Sequence, residues 1–355
     1  CTIMPFSEFR GNFIITQTAT APAATDADYI SDIAYFDGLG RHEMSVSKGA
    51  SANGGDVIKP TYYDHAGRDN AREYLPFVRN DATGDYLPDV FEYQRAYFAK
   101  VYPGDESYAF QETIFEPSEL DRPLAAYNAG SIFHNKNKKT RFDYDTNSAS
   151  DRVFHLKFNA NRALDVLGFI PDNTLYRNIV ENEDDGMIIN FTDQLGRKIL
   201  ERTIDRHNNS SSMDTYYVYD DRDRLCVVIS PQGSIALRSG QHHALGEELI
   251  DKYCYYYLHD EASRIVERKL PGKSIEYLIY DKGDRLVMSQ DGNQRKQQEW
   301  TYYVFDNFNR LISMSLVKQQ ITLSRQDIQN RYNAVEFNNS YPTLGGSPNK
   351  YKPFA

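Results

Sequence analysis

Residues 216–229 read YYVYDDRDRLCVVI, and this stretch decides the fold. An aromatic run ends at Tyr219, Asp220 opens a polar segment that closes at Arg224, and an apolar run follows. Short runs rich in Tyr, Val and Ile on both sides of a polar, Asp-containing segment are typical of two strands joined by a tight turn. The stretch therefore predicts a β-hairpin.

The same unit recurs along the chain. We call the five residues from its Asp to its Arg a pentad. Seven pentads occur, and five of them directly follow Tyr or Phe: Asp37 to Arg41, Asp64 to Arg68, Asp193 to Arg197, Asp220 to Arg224, Asp260 to Arg264, Asp281 to Arg285 and Asp306 to Arg310. A degenerate eighth copy has Ser118 where Asp is expected and keeps Arg122. Self-similarity of this kind predicts a tandem repeat.

The residue before each Arg shows that the pentad is a turn rather than a helical segment. An Asp and an Arg four residues apart could also pair on a helix. The intervening fourth position, however, holds Gly40, Gly67, Asp121, Gly196, Asp223, Ser263, Asp284 or Asn309. Most of these residues accept positive φ or bind their own backbone, as turn residues do. We predict a type I turn closed by a left-handed residue, with Asp accepting backbone N–H groups and Arg starting the return strand.

The composition fits a folded, β-rich chain. The 355 residues are 40% hydrophobic and 13% aromatic, with 27 Tyr and 19 Phe, which favours pleated sheets with one apolar face. A net charge of −10 with mixed signs argues against a nucleic-acid partner. No apolar run is long enough to span a membrane.

The three cysteines imply neither a disulfide framework nor a metal site. Cys1, Cys226 and Cys254 have no metal-like spacing, and an odd number cannot all pair within one chain. Cys1 fits either the acylated cysteine of a processed lipoprotein or an ordinary cysteine.

The predicted fold is all-β: tandem antiparallel β-hairpins form a curved, spiralling sheet or a partial β-cage, with one or two short helices in insertions. We expect an N-terminal segment with the first hairpins at 1–140, an irregular connection at 141–186, repeat hairpins at 187–317 and a tail at 318–355. Within these, Gly246–Tyr253 predicts a short helix, Ser324 with Asp327 predicts a cap for another, and Asn135–Ser150 predicts an exposed loop.

No pattern indicates catalysis, a cofactor or a metal. His242 and His243 adjoin each other and Cys254 precedes His259 by five residues, but neither set has the ligand number of a zinc site. There is no nucleophile elbow and no phosphate-binding loop. The arginines leave two interpretations open: an array that binds anionic glycans, or staples that tie each turn to its neighbour. The joint recurrence of Asp and Arg favours the staples.

The units resemble the YD repeats of bacterial Rhs proteins, whose pattern is aromatic-Tyr-Asp, two variable residues, then Gly-Arg-Leu. The resemblance covers roughly residues 12–317 and is closest to Rhs-type proteins with a segment before the repeats. It is carried by YFDGLGR (Tyr35–Arg41), DVIKPTYYDHAGRDNAREYLP (Asp56–Pro76), YYVYDDRDRLCVVISPQG (Tyr216–Gly233) and ERKLPGKSIEYLIYDKGDRLVMSQDGNQRKQQEW (Glu267–Trp300).

The resemblance implies that the hairpins form part of the sheet that encloses a hollow shell. Rhs proteins, the shell components of tripartite toxin complexes and the teneurin barrel wind such hairpins into a hollow cage, and the bacterial versions hold a C-terminal toxin domain inside. This sequence departs from the family in lacking the Rhs core with its Asp-Pro self-cleavage motif and a variable toxin tail. An open sheet or an incomplete shell is therefore an alternative to a closed one.

Three functions follow, in order of preference. The first is a non-catalytic shell segment, secreted or at the bacterial cell surface, that encapsulates or presents a toxin domain or other cargo polypeptide. The second is a surface-exposed module that binds glycan or protein through its hairpins. The third is an enzyme on a β scaffold, which the fold alone does not exclude.

Overall fold

The computed structural model describes residues 11–19, 29–159, 161–205, 212–306, 308–318 and 323–334. Cys1, and with it the lipoprotein interpretation, lies outside these residues, as does most of the predicted tail. Antiparallel strands dominate, which confirms the all-β fold class. The chain divides into two compact units, Cys1–Asp143 with Ile179–Met187, and Tyr144–Asn178 with Ile188–Ala355.

The first unit contains a five-stranded sheet and a second run of strands. In the sheet the order is β1-β2-β3-β4-β6, and in the run it is β5-β7-β8-β9. The bounds are β1 Asn12–Ala19, β2 Tyr29–Phe36, β3 His42–Lys48, β4 Asp56–Pro60, β5 Arg72–Tyr74, β6 Phe77–Arg79, β7 Phe110–Phe115, β8 Pro123–Tyr127 and β9 Thr140–Thr146; the helices are α1 Val90–Val101 and α2 Ser131–Asn135.

Alternation along β2 and β3 builds the core of the first unit. Ile33 and Tyr35 on β2 and Met44 and Val46 on β3 are all fully or almost fully buried, because every second residue of a strand faces the same side. α1 covers this core with residues four apart, among them the buried Phe98.

The second unit carries most of the repeats. Its small sheet has the order β10-β11-β17, and its long run has the order β13-β14-β15-β16-β18-β19-β20-β21-β22-β23. The bounds are β10 Phe154–Phe158, β11 Ala163–Phe169, β12 Tyr176–Glu181, β13 Gly186–Thr192, β14 Lys198–Asp205, β15 Ser212–Tyr219, β16 Leu225–Ile229, β17 His242–Ala244, β18 Cys254–His259, β19 Ile265–Lys269, β20 Glu276–Tyr280, β21 Leu286–Gln290, β22 Glu299–Phe305 and β23 Leu311–Lys318.

Register lines up the buried residues of neighbouring hairpins. Val218 on β15 lies opposite Val227 on β16, which lies opposite Tyr256 on β18. All three are buried, so one apolar stripe runs across three strands. A single hairpin could not bury this stripe alone, and stacking of consecutive hairpins supplies the missing cover.

Two helices lie where the sequence predicted them. α4 is Glu248–Tyr253, inside the predicted range, and α6 is Arg325–Ala334, with the side chains of Ser324 and Asp327 hydrogen-bonded to each other just before it. The described residues also contain α3 Pro231–Ser234 and α5 Gly292–Gln297 besides α1 and α2, so helices are more numerous than expected. The helices α2 to α5 are only four to six residues long, and such short segments carry little periodicity. Ser230 caps α3 and Asp291 caps α5.

The exposed loop predicted from Asn135 to Ser150 is wrong for much of its length, because β9 occupies Thr140–Thr146. Its side chains alternate between half-buried and exposed, with Phe142 and Tyr144 on the half-buried face and charged residues between them. This alternation is typical of a strand, and the prediction of a loop from the polar composition overlooked it. Strands β9 to β12 likewise occupy much of the 141–186 segment that was expected to be irregular.

Candidate functional site: the row of pentad turns

Each pentad closes through the same two backbone hydrogen bonds. In the pentad from Asp220 to Arg224, the Asp220 N–H donates to the Arg224 carbonyl at 2.9 Å, and the Asp223 N–H donates to the Asp220 carbonyl at 3.1 Å. Both bonds recur in the six other pentads, at 2.8–3.0 Å and 3.0–3.2 Å. The seven pentads therefore share one backbone geometry.

The Asp carboxylate organises the turn from inside. In Asp220, Oδ1 accepts the backbone N–H groups of Arg222 and Arg224 at 2.9 Å, and Oδ2 accepts Nε of Arg224 at 2.8 Å. The backbone N–H of Arg68 is the largest cause of the lowered pKa of Asp64, which has the same bonds. Burial acts to raise the pKa of Asp220, but its hydrogen bonds with Arg224 outweigh burial, and that pKa is also lowered.

The fourth pentad residue reverses the chain in the left-handed region. Its φ is +78° at Gly196, +61° at Asp223 and +64° at Ser263. A Cβ added at Gly196 would meet no atom within 4 Å. Backbone conformation, rather than lack of space, therefore selects the residue types at this position.

The Arg of most pentads reaches the next pentad in the strand order. Where that next turn has Asp or Asn at its fourth position, Nη1 donates to the side-chain oxygen. The bonds run from Arg68 to Asp121 at 2.7 Å, from Arg197 to Asp223 at 2.5 Å, from Arg264 to Asp284 at 2.8 Å and from Arg285 to Asn309 at 3.1 Å. The fourth residue thus serves twice, as the left-handed residue of its own turn and as an acceptor for its neighbour.

The two exceptions follow from the fourth residue. Ser263 has a shorter side chain, and Arg224 donates instead to the backbone carbonyl of Asp260 at 2.5 Å. Gly67 offers no side chain, and the contact that Arg41 makes with the next pentad, as far as the described residues show, is stacking on Tyr63, with 4.8 Å between guanidinium carbon and ring centre. Similar stacking joins Arg197 to Tyr219 and Arg264 to Tyr280.

The row ends at Arg310. In the part of the chain that the structure describes, the Arg310 side chain contacts only its own turn, through Asp306 and the Phe308 ring. It is 74% exposed, against 9% for Arg285 and 20% for Arg264. Burial of the arginine therefore depends on a following hairpin.

The structure also contains related turns that the sequence pattern missed. Asn159 and Asn182 open five-residue turns in which their side-chain oxygen accepts the N–H four residues on, without a following Arg. In the degenerate copy the loop is longer, because the Glu116 N–H donates to the Arg122 carbonyl and Glu116 takes over the ion pair with Arg122. Arg122 is the main cause that lowers the pKa of Glu116 to about 2. A pattern that accepts Asn for Asp and does not require Arg would have revealed the turns at Asn159 and Asn182, whereas the Glu116 loop also differs in length.

The nearest approach to a reactive cluster adjoins one pentad. Ligand atoms of Asp220, Cys226 and His259 lie within 4.8 Å of one another. Burial raises the pKa of the Cys226 thiol to about 11, so it is protonated at neutral pH. The oxygens of Asp220 already accept N–H groups from its own turn. A protonated thiol beside a saturated carboxylate offers neither a ready nucleophile nor a ready metal ligand.

The other histidines singled out from the sequence lie elsewhere in the same unit. His242 Nδ1 is 2.5 Å from Asp165 Oδ1, and His243 Nδ1 is 3.4 Å from the Glu247 carboxylate. Cys254 is fully buried.

Among the described residues, no helix is both long and apolar enough to cross a membrane.

One protein family model and several solved structures are similar to this chain. A family model described as a domain of unknown function (DUF6443) matches residues 12–146. The crystal structure of TcdB2-TccC3 without its hypervariable C-terminal region matches with a TM-score of 0.53 at 13% identity, covering 87% of this chain and 13% of that one. A structure of the Photorhabdus luminescens Tc holotoxin pore matches with a TM-score of 0.55 at 13% identity, covering 88% of this chain and 14% of that one. No curated protein matches the sequence.

The fold and the row of turns define a tandem β-hairpin repeat protein. The solved structures are those of Rhs-repeat toxin complexes, so the resemblance to YD-repeat proteins is confirmed at the level of the fold: this chain has the Rhs-type YD-repeat fold. It spans about one seventh of the length of the chains it matches, as their covered shares of 13–15% show.

Proposed function

We propose that this chain is a non-catalytic wall segment of an Rhs-type polymorphic toxin shell, secreted or displayed at the bacterial surface, which encapsulates or presents a toxin cargo. The observation that carries the proposal is the row of linked pentads. Most of these arginines, such as Arg197 and Arg264, join their own Asp to the following hairpin, so they serve the cohesion of the sheet.

The same contacts weigh against the arginines as an anionic-glycan array. Arg264 already pairs with Asp260 at 2.7 Å and with Asp284 at 2.8 Å, and only 20% of its side chain is exposed. A polymer of sulfates would have to displace two carboxylates from each such guanidinium. Cohesion between hairpins is thus the role that the geometry favours.

The fold likeness supports the same proposal. The similar structures contain TccC3, and one of them was crystallised without a hypervariable C-terminal region. By analogy, a variable cargo would follow the repeats of this chain in its natural polypeptide. Fold analogy alone does not establish function, so the cargo needs its own test.

The test uses the natural gene product with whatever sequence follows position 355. It is digested with a nonspecific protease in native buffer, and surviving peptides are followed by mass spectrometry. Encapsulation predicts that the following sequence is cut far more slowly in the wild type than in Arg197→Gln/Arg264→Gln, which breaks two links. Arg310→Gln is the matched control, since it breaks none among the described residues. Equally fast cleavage of the cargo in wild type and double variant contradicts encapsulation, and specific binding on a glycan array would then favour the surface-module alternative.

A further inference from the structure

A polar cleft in the second unit gathers more positive than negative charge. It is lined by Arg162, Glu267, Arg295 and Arg325, together with Tyr277 and Gln290. Three guanidinium groups and one carboxylate therefore line the cleft. The cleft contains none of the pentad residues and is independent of the proposed shell role.

Among the described residues that line the cleft, Glu267 is the one carboxylate, and it lies closer to Arg162 than to Arg325. It is 4% exposed and accepts a hydrogen bond from Nη1 of Arg162 at 3.0 Å. The Nε of Arg325 is 3.8 Å from its other oxygen, beyond hydrogen-bond distance. Arg295 lies over the Tyr277 ring at 4.4 Å and donates to a backbone carbonyl rather than to Glu267.

Arg325 is left with an unsatisfied nitrogen. Its Nη2 donates to Gln326 at 2.7 Å, but its Nη1 is buried and has no hydrogen-bond partner among the described residues. Only 11% of the side chain is exposed. A buried guanidinium N–H without an acceptor is unfavourable, and repulsion from Arg162 adds to that cost.

The start of α6 does not supply the missing acceptor. The Asp327 carboxylate accepts the N–H and the hydroxyl of Ser324, at 3.0 Å and 2.7 Å, and so caps the helix. The Asp327 carboxylate therefore accepts hydrogen bonds at the start of the helix and accepts none from Nη1 of Arg325. The acceptor that Arg325 lacks has to come from outside these residues.

We propose that this cleft binds an oxyanion, a carboxylate or a sulfate-like group, with the guanidinium of Arg325 as the principal donor after a rotation of that side chain turns the buried Nη1 toward the bound anion. Arg162 and Arg295 supply the surrounding positive charge. A planar guanidinium with a free N–H suits both anions, since each offers oxygens that accept charge-assisted hydrogen bonds.

The test measures unfolding temperature against sodium acetate and, separately, sodium sulfate, with ionic strength held constant by sodium chloride. The proposal predicts a saturable rise at millimolar concentration for at least one anion. The stronger response distinguishes a carboxylate ligand from a sulfate-like one. Sulfate also stabilises proteins nonspecifically, but that effect does not saturate at millimolar concentration.

Variants locate the effect. Arg325→Gln should weaken anion binding at least about tenfold, as expected for loss of a charge-assisted bond. Glu267→Gln should strengthen it several-fold by removing the competing carboxylate, and Arg310→Gln, outside the cleft, should leave it unchanged. If Arg325→Gln does not fold, Arg295→Gln replaces it, with a several-fold loss expected. The absence of a saturable response, or an unchanged response in these cleft variants, overturns the proposal.

Discussion

Replacing Arg264 by Gln, with Arg310→Gln as the matched control, isolates the link between hairpins. Both arginines bind the Asp of their own pentad in the same way, through Nε to Oδ2 at 2.8 Å and 2.6 Å. Only Arg264 also reaches the following pentad, donating to the Asp281 carbonyl at 3.1 Å and to Asp284 at 2.8 Å and stacking on Tyr280. Arg310 also lies over the Phe308 ring of its own turn, so the difference between the two variants reports the contacts between hairpins less this one stacking contact.

The size of that difference can be worked out contact by contact. The bond to the Asp281 carbonyl is worth about 1 kcal/mol or slightly more, because the donor is charged. The pair with Asp284, whose side chain is 74% exposed, is worth at most about 1 kcal/mol. Stacking on Tyr280 adds roughly 0.5–1 kcal/mol. Arg264→Gln should thus lower the free energy of unfolding by about 2 kcal/mol more than Arg310→Gln does.

Urea unfolding followed by circular dichroism measures both variants against the wild type at pH 7. If the two substitutions lower stability equally, the arginines act only within their own turns. The proposed cohesion of the wall through its arginines would then fail.

Three further predictions follow from the same turns. Gly196→Val should lose about 1–3 kcal/mol by forcing a β-branched residue to positive φ, whereas Gly196→Asn should lose much less; equal melting temperatures for both would contradict the turn assignment. The pKa values of Asp37, Asp64 and Asp306 in the folded protein are lowered below 3.8, so these carboxylates stabilise the fold above about pH 4 and lose that contribution as the pH falls through their folded-state pKa values. The urea midpoint should therefore decrease between pH 6 and pH 2. In Asp64→Asn this decrease should be smaller, because one of the titrating carboxylates is gone. Cys226 and Cys254, buried and with raised pKa values, should react with a thiol reagent only upon unfolding, and rapid labelling under native conditions would contradict their burial.

The sequence was most informative where the backbone demands a particular residue. Positive φ and a local carboxylate restrict the pentad so strongly that Asp220, Asp223 and Arg224 mark a turn without any structure. Alternation then indicates the buried face, as Val227 and Ile229 show. Both signals are local, and they carry the fold class.

What the sequence could not indicate depends on neighbours distant in the chain. That Arg197 would find Asp223 depends on strand order and register, which no pentad encodes by itself. The strand β9 pairs with β8, with Ala125 opposite Arg141, and this pairing depends on a partner that the sequence of β9 does not specify. The cleft around Glu267 brings together residues that are far apart in the sequence: Arg325 lies 58 positions after Glu267, and Arg162 lies 105 positions before it. Sequence spacing gives no hint of such a meeting.

The central claim is that the pentads of the second unit form one row at the same end of consecutive hairpins. Pulsed electron spin resonance tests it most directly, with spin labels at the third pentad position. One label replaces Leu195, and the other replaces Ala262, Gly283 or Phe308 in turn, in a Cys1→Ser background. Two strands separate successive turns, so each step adds about 10 Å. The account predicts mean distances that increase in this order, near about 20, 30 and 40 Å or somewhat less where the sheet curves. Distances that do not increase in that order would contradict it.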